Sequence, residues 1–297
     1  MFKFSLCLLA LALAIPASAE MRNGKHVKLN ATDQRVFDQA APLAAQTITY
    51  HNGGILWNNP TLYVVYYGAF ASGTTGDMAV TNNFLSLIGG TGQYNVNSTY
   101  YDKKNHFIKN QLTFNSTTNT YADSYSLGTK IPSGGVLTIV QNAIVKAGWP
   151  SSQNAVYFVV TSPDVTSPDF AGACGWHDWS SKIATGKTIP YSWIGEIAGC
   201  NGNSAIFHEK NSPNNSLALD AAMDTLMHEL SEATTDPTGR GWYTSNGSEN
   251  GDLCNYVYGT TFFAPNGTHA NVTLGAYNYL VQNIWENSGN GFCANTK

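Results

Sequence analysis

The chain has 297 residues, only 11% of them charged, and its formal net charge at pH 7 is −4. It contains no run of basic residues, so the sequence argues against a nucleic-acid partner or an anionic membrane surface. After the N-terminus, no stretch reaches the roughly 18 apolar residues that a membrane-spanning helix needs.

The N-terminus has the pattern of a secretory signal peptide. Lys3 precedes a short apolar run over residues 8–15, and Ala17-Ser18-Ala19 is typical of a cleavage site. The mature protein is therefore expected outside the cytosol. We predict three parts of the chain: a signal peptide over 1–19, a mobile lead-in over 20–50 and a single domain over 51–297.

Apolar patterns along the chain predict a strand, two helices, a second strand and a late helix, in that order. Continuous β-branched and aromatic runs predict buried strands over 61–67 and 155–161, and helical spacing predicts helices over 78–88 and 136–147. A late helix should end near Asp236, because Pro237 cannot continue it. This order predicts an α/β or α+β fold, a single domain whose mixed central β-sheet is flanked by helices.

Cysteine and asparagine patterns agree with export. Cys7 leaves with the signal peptide, and an even number of cysteines in the remaining chain indicates two disulfides with three possible connectivities. Nearest-neighbour pairing is favoured, and free buried thiols are the alternative. The four cysteines are Cys174, Cys200, Cys254 and Cys293.

Seven Asn-x-Ser/Thr triplets predict a glycoprotein, although a chain rich in these residues also forms such triplets by chance. They begin at Asn30, Asn97, Asn115, Asn214, Asn246, Asn266 and Asn271.

One segment of the late helix carries a pattern with chemical meaning. The sequence MHELSEATTDP, residues 227–237, begins like the zinc-protease signature His-Glu-x-x-His, with Glu232 in place of the second histidine. Asp224, His228, Glu232 and Asp236 recur every four residues and share one helix face. Like charges at this spacing destabilise a helix by about 0.2–0.5 kcal/mol per pair, a penalty that a bound cation would reverse.

We therefore predict a zincin-like helix that binds Zn²⁺ through His228 and Glu232. Asp236, or an acid of segment 249–252 such as Asp252, would be the third ligand. Glu229 would be the general base acting on metal-bound water. Ca²⁺ is a further option, although histidine is a poor calcium ligand. The competing interpretation is a solvated helix face without a metal.

His177, in the segment CGWHDW, has two interpretations. It is either a fourth ligand or a packed loop histidine, and the second is favoured. Several tryptophans offer sugar stacking as a further hypothesis, but packing is the commoner role of such residues.

Several segments, in this order, resemble the EXORDIUM or phosphate-induced protein family. They include LYVVYYGAF at 62–70, VYFVVTSPDV at 156–165, CGWH at 174–177, ATTDPTGRGWY at 233–243 and YLVQNIW at 279–285. The resemblance covers about 53–293 and implies an extracellular, disulfide-bonded, single-domain protein. Plant members of the family are secreted, wall-associated proteins linked to growth promotion.

The helix departs from the family pattern. Plant members lack the His-Glu pair present here as His228 and Glu229, so this chain resembles a non-plant type. The resemblance supplies no catalytic residue, because the family has no established activity. Asp236 and Gly239 match a family segment typical of a tight turn. Two hypotheses follow: a zinc-dependent, peptidase-like hydrolase with a peptide substrate, or a non-catalytic protein that recognises wall polysaccharide or a receptor.

Overall fold

The computed structural model describes residues 25–27, 47–72, 75–197, 200 and 209–297. The predicted signal peptide, Asn30 and most of the predicted lead-in lie outside these residues. The helices are α1 Thr75–Leu87, α2 Gly92–Asn95, α3 Gly135–Ala147 and α4 Leu217–Thr235. The first seven strands are β1 Lys25–Val27, β2 Thr49–Tyr50, β3 Thr61–Tyr67, β4 Thr120–Asp123, β5 Ala155–Thr161, β6 Ala173–Ala184 and β7 Lys187–Gly195. The others are β8 Trp242–Tyr243, β9 Phe262–Phe263, β10 His269–Ala270, β11 Val272–Leu274, β12 Tyr277–Tyr279, β13 Ile284–Glu286 and β14 Phe292–Ala294.

A six-stranded mixed sheet with the order β1-β6-β7-β5-β3-β4 organises the fold. Neighbouring strands from β7 to β4 pair in parallel, whereas β6 runs antiparallel to both β7 and β1. β3 and β5 are buried on both faces, which is why their sequences are continuous apolar runs. The predicted mixed α/β fold is confirmed, and both predicted strands have the observed bounds.

Side chains alternate between the two faces of the sheet, and those of each face pack into a separate hydrophobic core. On one face, Leu62, Val64 and Tyr66 of β3 pack with α1 and α4. On the other, Val65 and Tyr67 pack with α3, where the indole of Trp193 is fully buried. The sheet is thus the middle layer between α3 on one side and α1 with α4 on the other.

Helix α4 has well-defined ends. The Ser216 side chain caps its first turn by accepting a hydrogen bond from the Leu219 amide at 3.4 Å. At the other end, Asp236 Oδ1 accepts hydrogen bonds from the amides of Arg240 and Gly241, both at 2.6 Å. The chain therefore turns sharply after α4, and the segment that follows is brought back towards the helix.

Two parts of the chain differ from the sequence expectation. The sequence predicted no strand between residues 162 and 212, where the long hairpin β6–β7 completes the central sheet. Lys25–Val27, expected within a mobile lead-in, pair with β6 as the edge strand. Pro190 and the Gly-rich flanks weakened the strand pattern of the hairpin, because proline usually interrupts a strand.

The structure forms the disulfides Cys174–Cys200 and Cys254–Cys293, with Cα atoms 5.8 and 5.6 Å apart. These are the nearest-neighbour pairs. Each bond lies beside a residue of the site described next: Cys174 is three residues before His177 on β6, and Cys254 is two residues after Asp252. The disulfides therefore anchor two segments that meet α4.

Candidate metal centre

Helix α4 is covered on all sides. Every residue from Leu219 to Thr235 is buried, and the side chains of His228, Glu229 and Glu232 have no exposed surface. The interpretation of a solvated acidic face is therefore wrong. Acidic side chains are rarely fully buried unless they are paired, so this part of the helix needs compensating charge.

One group of possible metal ligands lies between α4 and the segment that follows β8. His228 Nε2 is 2.9 Å from Glu232 Oε1 and 3.6 Å from Asp252 Oδ1. The Asp252 amide also donates a hydrogen bond to Glu232 Oε1 at 3.0 Å. One atom from each of these three residues lies within 4.8 Å of the other two. The structure thus brings together three residues that the sequence nominated as ligands.

A second group lies between α4 and the sheet. His177 Nδ1 is 3.2 Å from Glu229 Oε2 and 3.5 Å from Glu232 Oε2. Its other ring nitrogen, Nε2, is 3.6 Å from Glu249 Oε1. His177 is 2% exposed, so it is packed as expected, but it lies on strand β6 and not in a loop.

The position of His177 follows from the alternation of side chains along strand β6. Gly175 and His177 share one sheet face. A Cβ on Gly175 would come within 2.5 Å of Thr225 Cγ2 on α4, so strand and helix are in close contact there. Glycine at this position lets the helix approach the strand, and the next side chain on that face, His177, reaches the acids of α4.

The segment carrying Glu249 and Asp252 is fixed by buried polar contacts. Asn250 donates to Asn97 Oδ1 at 3.0 Å, and its carbonyl accepts from the Trp285 amide at 3.0 Å. Gln282 Nε2 donates to the Gly251 carbonyl at 2.8 Å. Gly251 lies directly against both ligands of α4: a Cβ there would be 2.9 Å from Glu232 Oε1 and 3.0 Å from His228 Nδ1.

Asp224 and Asp236, the first and last of the four residues that recur along this face of α4, have other partners. Asp224 accepts hydrogen bonds from Tyr258 Oη at 2.6 Å and from the Gln282 amide at 2.7 Å. Asp236 is bound by the turn amides after α4, as described above, and belongs to neither ligand group. Asp236 was predicted as a third ligand, and the structure instead gives it the role of shaping the turn.

Burial disfavours the charged form of every group in the cluster, and neighbouring charges outweigh this effect for the two histidines and Glu232 only. Burial would lower the pKa of His228, but the surrounding carboxylates, Glu232 first, outweigh it and raise this pKa to about 10. Burial would raise the pKa of Glu232, but the two histidines lower it to about 2. The pKa of Asp252 is raised to about 8, mainly by burial and then by the charge of Glu232.

The remaining members follow the same physics. Burial raises the pKa of Glu229 and raises that of Glu249 well above its usual range. Burial would lower the pKa of His177, but Glu249 and the acids of α4 raise it well above its usual range. Without a cation, the cluster therefore retains protons on its imidazoles and on several carboxyls.

Two nitrogen–oxygen distances in the cluster are those of hydrogen bonds, 2.9 Å for His228 Nε2 to Glu232 Oε1 and 3.2 Å for His177 Nδ1 to Glu229 Oε2, whereas the longer ones suit ligands of a shared metal ion. Glu232 Oε2, Glu249 Oε1 and Asp252 Oδ1 are buried and accept no well-formed hydrogen bond from the described residues. The imidazole nitrogens nearest to these oxygens are 3.5–3.6 Å away. Two ligands bound at about 2.0–2.2 Å to one tetrahedral ion lie roughly 3.3–3.6 Å apart.

Sequence reasoning identified His228, Glu229, Glu232 and Asp252 but gave His177 and Glu249 too little weight. His177 carried one usable signal, the alternation of Gly175, His177 and Trp179 that is typical of a strand. Glu249 lies in the segment 249–252 that the sequence offered for a third ligand, but its position beside His177 depends on how the chain returns after the turn at Asp236.

Fold and site together define a class: a single-domain mixed α/β protein with two disulfides and a buried cluster of two histidines and four carboxylates. Among the described helices, none is both long and apolar enough to cross a membrane. Residues 48–293 match the family model of the phosphate-induced protein 1 conserved region. The chain belongs to this family, as its sequence segments predicted.

Curated relatives carry the EXORDIUM name. The chain is 25% identical to Protein EXORDIUM-like 3 of Arabidopsis thaliana, over 87% of each chain. It is 26% identical to EXORDIUM-like 5 of the same plant, over 78% of this chain and 70% of the relative. Protein EXORDIUM itself is 24% identical, over 73% of this chain and 76% of the relative. No solved structure matches the chain.

Proposed function

We propose that this protein is an extracellular metalloprotein of the EXORDIUM family, with a divalent cation, Zn²⁺ by preference, bound by His228, Glu232 and Asp252. The observation that carries the proposal is the convergence of these three side chains, each at most 3% exposed, with Asp252 Oδ1 accepting no hydrogen bond from the described residues. One imidazole and two carboxylates form a ligand set that zinc accepts. The two disulfides support an oxidising compartment.

Metal analysis of the purified protein tests this proposal. Protein stripped with a chelator and dialysed against Zn²⁺ should retain the ion, and His228→Ala should lose the ion at this position. The matched control is His106→Ala, since His106 is paired with Asp102 at 2.9 Å and belongs to neither ligand group. Equal zinc content in wild type and His228→Ala, or none in either, contradicts the proposal.

Hydrolysis is the activity that this centre would support, and Glu229 is the residue that favours it. Glu229 directly follows the ligand His228, and its Oε2 is held 3.2 Å from His177 Nδ1. In amide hydrolysis a water oxygen would bond to the carbonyl carbon while the C–N bond breaks. Glu229 would take the proton from the water and deliver it to the leaving amine.

A pair of measurements separates the chemistry from metal binding. Glu229→Gln should abolish hydrolysis of a peptide library by wild-type protein while the ion bound by His228 remains. If the wild-type protein binds zinc but cleaves nothing, the peptidase proposal fails and the metal proposal stands.

Complete burial of the cluster favours the second candidate function, a non-catalytic extracellular protein whose ion is structural. Structural zinc sites are closed, whereas catalytic ones leave a position open to substrate. Such a protein would bind wall polysaccharide or a receptor. Trp176 and Trp193 do not serve this purpose, since both are buried against the sheet. Polysaccharide binding that survives both chelation and Glu229→Gln would favour this candidate.

Glycosylation of the exported chain should be restricted by folding. Asn115 and Asn246 are exposed, so both can carry a glycan. Asn97 is fully buried and donates to Ser231 Oγ at 3.3 Å, and Asn271 donates to the carbonyls of Tyr258 and Val281. Glycopeptide mapping should find glycans at the first two positions, and a glycan at Asn97 in folded protein would contradict this.

A further inference from the structure

We infer that the cluster binds two divalent cations and that Glu232 bridges them. This inference rests on the proposed metal position at His228 and adds a second one formed by His177, Glu229 and Glu232. Each group of three offers ligand atoms within 4.8 Å of one another, and Glu232 is the residue they share.

The two oxygens of Glu232 face different histidines. Oε1 is 2.9 Å from His228 Nε2, and Oε2 is 3.5 Å from His177 Nδ1. A carboxylate that binds one ion would leave its second oxygen to hydrogen-bond donors of the protein. Oε2 is buried and accepts no well-formed hydrogen bond from the described residues, so its remaining capacity points towards the His177 side.

Charge balance also favours two ions. The enclosed cluster contains four carboxylates, from Glu229, Glu232, Glu249 and Asp252, and all four side chains are at most 6% exposed. When these are ionised and the imidazoles are neutral, one dication leaves an excess of two negative charges in a site without solvent. Two dications neutralise it, and an uncompensated buried charge is among the costliest features a protein can have.

Glu249 supports the second metal position by orienting His177 and is not itself a ligand. Its Oε1 is 3.6 Å from His177 Nε2, on the opposite side of the ring from Glu229 and Glu232. Histidines that bind metal through one nitrogen usually face a carboxylate or carbonyl with the other, which fixes the ring and raises its basicity. Glu249 therefore acts as a positioning residue for His177.

A two-ion centre changes the chemistry expected of Glu229. In this arrangement Glu229 is a ligand of the second ion, so it is not the base of a peptidase. Paired ions suit substrates whose attacking and leaving oxygens are both stabilised by metal, as in hydrolysis of phosphoesters or terminal peptide bonds.

Zinc stoichiometry of the intact chain tests the inference. After chelation and dialysis against Zn²⁺, wild type should bind about two ions per chain, His177→Ala and His228→Ala about one each, and Glu232→Ala none. Asp224→Asn is the matched control: it keeps a buried polar group on the same helix face and should leave about two ions bound. Circular dichroism and disulfide mapping establish that each variant is folded.

Wild-type protein alone gives a second readout. Loaded with Mn²⁺, a bridged pair should show an exchange-coupled electron paramagnetic resonance spectrum, whereas separate ions give the six-line spectrum of isolated Mn²⁺. About one ion per chain with an uncoupled spectrum overturns the two-ion inference and leaves the proposed function intact. No bound ion overturns both.

Discussion

On one face of helix α4, the acidic residue in the middle and those at the two ends have different binding partners. Asp224, Glu232 and Asp236 share this face of α4, and all three are buried. Both end residues are bound by donors of the protein: Tyr258 and an amide for Asp224, two turn amides for Asp236. Glu232 faces two imidazoles and has an oxygen that accepts no well-formed hydrogen bond from the described residues. Periodicity places a carboxylate on a helix face, but the neighbouring segments decide whether it serves the fold or a ligand.

The largest expected effect separates two acids that the sequence offered as equivalent third ligands. Asp252→Asn should weaken zinc binding by more than about 100-fold, because a ligand charge is lost where even outer partners are worth about 10–100-fold. Asp236→Asn should leave zinc affinity unchanged, since its Oδ1 acceptor for the turn amides is retained. Isothermal titration with Zn²⁺ measures both variants.

Equal losses in the two variants would mean that Asp236 also contributes to metal binding. The difference drawn between the middle and the ends of this helix face would then be wrong for Asp236.

A single added methyl group should also disturb His228 and Glu232, the two middle residues of this helix face. In Gly251→Ala the new Cβ would lie 2.9 Å from Glu232 Oε1 and 3.0 Å from the His228 ring, closer than side-chain carbons normally approach. We expect zinc affinity to fall by about tenfold or more, as for displaced metal partners. Gly54→Ala is the matched control, because no atom lies within 4 Å of a Cβ at that exposed position. Unchanged affinity in Gly251→Ala would show that these ligands are not held as closely as the structure indicates.

Loss of a disulfide should loosen the ligands that do not come from α4. Replacing Cys254 and Cys293 with serine removes the anchor two residues from Asp252 and opens a bond with sequence separation 39. The free energy of unfolding should fall by about 2–5 kcal/mol. Zinc should dissociate at lower chelator concentration, which a competition titration measures.

The corresponding replacement of Cys174 and Cys200 should affect the His177 side in the same way. Full retention of zinc in both double variants would show that the disulfides stabilise the fold without supporting the centre.

The smallest expected effect concerns a buried acid far along the chain from this helix face. Glu196 is 3% exposed, and burial, then the charge of Asp77, raises its pKa from 4.5 to about 8. The folded chain thus keeps a proton that the unfolded chain releases, so the free energy of unfolding should fall as pH rises from about 4.5 to 8. Glu196→Gln should remove this slope and stabilise the protein at high pH by a few kcal/mol, since one pKa unit corresponds to about 1.4 kcal/mol. Melting temperatures at pH 5 and pH 8.5 measure the difference, and parallel pH profiles for both proteins would contradict it.

Local signals in the sequence were sufficient for strands β3 and β5 and for helices α3 and α4. The runs that form β3 and β5 are apolar throughout, and α3 ends at Gly148, which adopts the left-handed conformation typical of helix termini. Ser216 and Pro237 bracket α4. Each of these elements is specified by residues within a few positions of its own ends.

The site was only partly predictable, for a physical reason. His228, Glu229 and Glu232 are neighbours along one helix, so their proximity follows from helix geometry. His177 reaches them through the β6–β7 hairpin, in which Pro190 obscured the strand pattern. Glu249 reaches them through a turn stabilised by Asp236, the same residue that sequence reasoning assigned to the metal. Periodicity shows which side chains share a face of one helix or strand. It does not show which backbone amides of other segments will donate hydrogen bonds to those side chains.

The cluster joins three parts of the chain that are distant in sequence: the sheet at His177, the helix at His228 to Glu232, and the segment at Glu249 to Asp252. Ions bound there would act as reversible cross-links beside two covalent ones. Unlike a disulfide, such a link tightens with the concentration of free ion, because ligands that bind only the native state stabilise it by mass action. The population of folded molecules would then follow the concentration of free metal ion in their surroundings.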